Sequence, residues 1–82
     1  MSKIQSLNDT VARCLERYFK DLDGTMPGGV YDMVIQAVER PMLEIVMRQS
    51  EHNQLRASAI LGINRNTLRK KLQNHGLLNN HE

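Results

Sequence analysis

Asn53-Gln54-Leu55-Arg56-Ala57-Ser58-Ala59-Ile60-Leu61-Gly62-Ile63-Asn64-Arg65-Asn66-Thr67-Leu68-Arg69-Lys70-Lys71-Leu72 is the stretch that decides the fold. Asn53 and Asn64 each stand before a helix-forming run, where an asparagine oxygen can accept from a free amide of the first turn. Gly62 lies between the runs and Gly76 beyond the second, each suited to the left-handed position that ends a helix. These signals predict helices over Gln54–Leu61 and Arg65–His75, with Ile63 plugging the turn and Leu68 and Leu72 facing inward. Two short helices joined by a turn of about three residues form a helix-turn-helix, whose second helix is the one that enters a major groove.

Upstream, the pattern stays helical. Val30, Tyr31, Val34, Ile35, Val38, Met42, Leu43, Ile45, Val46 and Met47 predict a helix over Val30–Gln49, apolar nearly all round from Met42 to Met47. Pro41 interrupts the backbone bonding there without ending the periodicity, so a kink is expected. Leu7, Val11, Cys14, Leu15, Tyr18, Phe19 and Leu22 form the stripe of a first helix over Leu7–Asp23, with Ser6 and Asp9 as its capping-box start. Asp23-Gly24 through Gly28-Gly29, with Pro27, separates the two helices. The expectation is an all-α chain of four helices, read as a single domain over 1–82 with dimerisation helices over 7–49 and a helix-turn-helix over 53–76.

With 82 residues the chain sits near the lower limit of what buries a self-sufficient core. A second subunit is therefore expected to cover the first two helices, through Leu15, Tyr18, Phe19, Val38, Met42, Ile45 and Val46. Charge is distributed unevenly. Through Glu51 there are six basic residues against eight acidic; from His52 to His81 there are five basic residues and no acid. An acid-free basic segment suits a polyanion.

Stepping along the predicted fourth helix at about 100° per residue places Asn66, Lys70 and Gln73 opposite Leu68 and Leu72. Arg65 and Arg69 share one flank, Thr67 and Lys71 the other. Arginine can bond guanine O6 and N7 together, so Asn64, Arg65 and Arg69 are the candidate base readers. Asn53, Gln54, Arg56, Thr67, Lys70 and Lys71 are the candidate phosphate ligands, because point charges, hydroxyls and helix N-termini position a protein on a duplex.

Other chemistry finds little support. There is no glycine-rich phosphate loop, no nucleophile with a base and no inward carboxylate pair, so no enzyme and no cofactor is expected. His52, His75 and His81 lack metal-ligand spacing and read as loop or terminal surface residues, with no metal expected. The single cysteine, Cys14, reads as a buried packing residue, and Met33, Met42 and Met47 as core or dimer filler. Neither a signal-type apolar run nor a membrane span is present, which points to the cytosol. The reading from another class is a helical dimerisation or adaptor module whose basic C-terminal face binds an acidic protein.

Gly62-Ile63-Asn64-Arg65-Asn66-Thr67-Leu68-Arg69-Lys70-Lys71-Leu72 closely resembles the C-terminal signature of the bacterial Fis family. The resemblance extends through Asn53-Gln54-Leu55-Arg56-Ala57 and Val38-Glu39-Arg40-Pro41-Met42-Leu43 back to Tyr18-Phe19. It implies an intertwined homodimer that holds two recognition helices at adjacent major grooves of double-stranded DNA. It further implies a nucleoid-associated protein that bends DNA at degenerate sites and regulates transcription, with RNA polymerase open as a further contact. Enhancer-binding activators of the NtrC type share this DNA-binding end; with no ATPase domain among these 82 residues, a free-standing Fis is the expected match. Leu55 stands where a phosphate-facing threonine is usual, Asn66 where a glycine is, and Gln73-Asn74 where lysines are common. Only Met1–Ser6 precede the expected first helix, so the N-terminal arm that contacts recombinases is expected to be missing, and recombinase activation with it.

Overall fold

A computed structural model describes residues 2–78, the side chains from Ile4 onward. Four helices follow one another: α1 (Ser2–Leu22), α2 (Val30–Gln49), α3 (Gln54–Leu61) and α4 (Arg65–Asn74). Among the described residues there is no strand. The chain divides into two compact units, Met1–Val30 and Tyr31–Glu82. The division falls at the start of α2 because that helix gives Leu43 and Met47 to the core of the helix-turn-helix.

The first unit is essentially α1. It begins five residues before the expected start, because Ile4 continues the stripe of Leu7 and Val11 one turn earlier. Ser6 and Asp9 are not its cap. The Ser6 carbonyl accepts from Thr10 Oγ1 at 2.9 Å and Asp9 accepts from Gln5 Nε2 at 3.3 Å, as interior helical residues do. A lone helix has no neighbour within its unit to bury its stripe, so Ile4, Leu7 and Phe19 are exposed. Cys14, expected to be buried, is exposed for the same reason. Tyr18 and Phe19 meet edge to face, with centroids 5.5 Å apart.

In the second unit, Leu43 and Met47 of α2, Ala57 of α3 and Leu68 and Leu72 of α4 form one buried cluster. Val46, Leu61, Ile63, Leu77 and Leu78 pack around it. The helix α2 runs through Pro41 without a break, although the proline ring cannot donate to the carbonyl of Ala37. Met42 and Ile45, on the other side of α2, stay exposed. A helix apolar nearly all round thus buries one side in its own unit and leaves the other bare.

All three helix ends in this unit close alike, with an amide reaching back five residues. His52 N donates to Met47 O at 2.7 Å, Ile63 N to Ser58 O at 3.1 Å and Leu77 N to Leu72 O at 2.8 Å. Such a closure needs a left-handed residue just before the donor. Gly62 at φ 75° and Gly76 at φ 69° supply it without steric cost. After α2 the left-handed positions fall to Glu51 and His52, at φ 57° and 64°. The apolar residues that follow the two glycines, Ile63 and Leu77, drop onto the core.

Candidate nucleic-acid interface

Local capping sets the direction of both motif helices. Asn53 Oδ1 accepts from Arg56 N at 3.0 Å and Asn64 Oδ1 accepts from Asn66 N at 2.7 Å, so each asparagine starts its helix as expected. Their oxygens are engaged in the caps, which leaves each amide NH2 to face outward partners. Leu68 and Leu72 anchor α4 at 0% and 1% exposure. Opposite them Arg65, Asn66, Thr67, Arg69 and Lys70 are all exposed on one short helix. These include the base-reading candidates Arg65 and Arg69 beside the phosphate candidates Thr67 and Lys70.

Arg56 is exposed at the start of α3 and lies 3.5 Å from Glu51, with both side chains more than half exposed. Such a pair is weak and screened, so the guanidinium exchanges partners readily. Leu55, beside it, is also exposed.

Three expectations need correction. Gln54 is buried at 7% exposure with no partner for its Nε2, so its side chain is not presented as a phosphate ligand. It occupies the inner side of the first turn of α3, a position that a spacing argument on so short a helix does not resolve. Lys71 does not point freely to a phosphate wall: its Nζ donates to Glu39 Oε2 at 2.6 Å. His75 is not a surface residue. Its side chain is 5% exposed and its Nε2 lies 2.9 Å from Glu39 Oε1.

Glu39, on α2, therefore binds two residues at the end of α4. Donation from Lys71, then from His75, holds its carboxyl below the ordinary value of 4.5 against the opposing effect of burial. An ionised carboxylate carries no proton to donate, so His75 must be the donor through Nε2–H. The next residue, Arg40, donates through a guanidinium nitrogen to the carbonyl of His75 at 2.5 Å. That satisfies one of the carbonyls which a helix end leaves unpaired, with a cation at the negative end of the helix dipole. No role for Glu39, Arg40 or His75 was legible from sequence spacing, since 32 to 36 residues separate the partners.

The residues expected at a subunit interface are placed unevenly. Phe19, Met42 and Ile45 are exposed by nearly half, whereas Leu15, Tyr18 and Val38 are half-buried. Val46 is half-buried against the core of its own unit. His81 lies outside the described residues. Among the described residues no group of three acidic, histidine or cysteine side chains is placed to hold a metal, and no helix is long and apolar enough to cross a membrane.

Comparison with known proteins finds close relatives in sequence. A protein of Ralstonia nicotianae is 60% identical over 72 residues, which cover 83% of this chain and 94% of its relative. A protein of Neisseria meningitidis serogroup A is 56% identical over 75 residues, covering 92% of this chain and 95% of the relative. Both carry the name "Putative Fis-like DNA-binding protein". The family described as "Bacterial regulatory protein, Fis family" matches residues 34–75, about half of the chain and the whole span from the second turn of α2 to the C-cap of α4. With the match centred on the helices that build the interface, the chain belongs to the Fis family of bacterial regulatory proteins.

Proposed function

We propose that the chain binds double-stranded DNA through α4 as a homodimer, bends it at degenerate sites and so regulates transcription in the bacterial nucleoid. The observation that carries this is the outward face of α4. Arg65, Asn66, Thr67, Arg69 and Lys70 are exposed together while Leu68 and Leu72 fix the helix to its core. No acid interrupts the segment from His52 to His81. Arg65 and Arg69 supply planar forks for base edges, with the NH2 of Asn64 beside them, while Lys70, Thr67, Arg56 and Asn53 meet phosphates. The DNA-binding names of the two relatives agree with this reading.

The uncovered residues Phe19, Met42 and Ile45 support a second copy as partner. Membership of the family supports bending: two recognition helices held on one dimer would oblige the duplex to fit them, so deformability adds to base contacts. Contact with RNA polymerase completes the proposal.

Selection of bound duplexes from a random pool tests it. The wild-type chain should enrich a short two-fold related pattern, and Arg65→Ala should lose that enrichment, each lost bidentate contact being worth about 1–3 kcal/mol of discrimination. Enrichment unchanged in Arg65→Ala would remove Arg65 from base reading. Retention of an acidic protein with no duplex at low salt would favour the adaptor reading instead.

A further inference from the structure

We propose that Glu39 is a positioning residue for α4: it fixes the end of the recognition helix through His75 and holds Lys71 out of the phosphate-contacting set. The proposal rests on the DNA reading of α4 given above.

Two successive residues of α2 grip one end of α4. Glu39 uses both oxygens, Oε2 on Lys71 and Oε1 on His75, four residues apart on one face. Arg40 takes the carbonyl of that same His75. The apolar contacts of Leu68 and Leu72 hold the helix against the core but have no direction, so alone they tolerate some rotation or sliding. The bonds to Glu39 and Arg40 are directional and close both motions. Each residue of slippage would turn the outward face by about 100°, so even a small rotation carries Arg65 and Arg69 off base edges.

The charge of Lys71 is used within the protein. Its ion pair measures 2.6 Å, with side-chain exposures of 34% and 12%, whereas the pairs Arg40–Glu44 and Arg56–Glu51 measure 3.6 and 3.5 Å between largely exposed side chains. Solvent screens the last two and much less the first. Of the five cations between His52 and His81, Arg65, Arg69 and Lys70 face solvent without an acidic partner among the described residues, Arg56 has only a screened one, and Lys71 is held. Glu39 thereby exchanges non-specific attraction for a fixed reading helix.

The salt dependence of affinity separates this from a merely structural role, because each neutralised phosphate contributes about 0.9 to the slope of log K against log salt. Wild type, Glu39→Gln, Lys71→Gln and Lys70→Gln are to be titrated with one specific and one random duplex. Lys70→Gln should flatten the slope by about 0.9 per subunit, and Lys71→Gln, which keeps a donor for Glu39, should leave it unchanged. Glu39→Gln should release Lys71, steepen the slope by about 0.9 per subunit and cut the specific-to-random affinity ratio about tenfold. A Lys71→Gln slope as flat as that of Lys70→Gln would overturn the proposal. So would Glu39→Gln with unchanged slope and ratio, even if it melts earlier. Should Glu39→Gln fail to fold, Lys71→Gln decides alone. Absence of salt-dependent binding by the wild-type chain would instead strike the DNA reading itself, before any variant is compared.

Discussion

On α4, Leu68 and Leu72 are almost wholly buried, whereas on α1 the equally apolar Leu7 and Phe19 remain about half exposed at 47% and 48%. The helix-turn-helix unit closes its own core from three helices, and its helix ends are finished by caps and by residues that fold back on that core. Helix α1 has a continuous stripe and nothing within its unit to place on it. The contrast teaches that the C-terminal unit carries its structural instructions locally, while the N-terminal helix carries half of an instruction whose other half must come from outside its unit. The middle of the chain shows both behaviours on one helix, since α2 buries Leu43 and Met47 and leaves Met42 and Ile45 bare.

The largest expected effect breaks the self-contained side of this contrast. Leu68→Ala removes a side chain at 0% exposure and should destabilise the helix-turn-helix unit by about 2–5 kcal/mol, read by chemical denaturation. A loss under about 1 kcal/mol would mean that the site collapses freely and that Leu68 does not hold α4. Next comes the incomplete side. Phe19→Ala should weaken dimerisation by roughly 2 kcal/mol per subunit, seen in sedimentation across concentrations, while leaving protection of the α3 and α4 amides nearly intact in the folded dimer. Undiminished dimerisation would place the subunit interface elsewhere.

The smallest effect concerns acid. The folded value of Glu39 lies below 4.5, so its contribution is complete above that pH and disappears as pH falls through the folded value. Wild type should therefore lose stability below about pH 4.5 more steeply than Glu39→Gln, measured by denaturant midpoints from pH 6 to 3. Parallel curves would show that the carboxylate adds nothing to folding.

The comparison also explains what could be read from sequence alone. Bounds of α3 follow to the residue and that of α4 within one, because Asn53, Gly62, Asn64 and Gly76 act on the backbone within a turn of themselves, and those of α2 follow from its apolar periodicity after Gly28-Gly29. A serine followed three residues later by an acid imitates a cap inside a continuing helix, which is why α1 starts earlier than Ser6 and Asp9 suggest. The outward face of α4 was legible from helical angle. The grip of Glu39 and Arg40 on Lys71 and His75 was not, since it joins residues more than thirty apart whose meeting depends on how α2 crosses the core. The burial of Gln54 was hidden for a similar reason, since a polar residue in a first turn reads as surface until its neighbours are placed.

The central claim, that a basic, acid-free recognition helix binds duplex DNA as one of a pair, is met most directly by measuring wild-type affinity for a duplex as salt rises. With Lys70 and Arg56 of both subunits on phosphates, and Arg65 and Arg69 over base edges, about four phosphates should be neutralised. Affinity should then fall about 10²-fold between roughly 50 and 200 mM salt, with two chains bound per site. Duplex affinity that is absent at low salt or flat across that range would contradict the account.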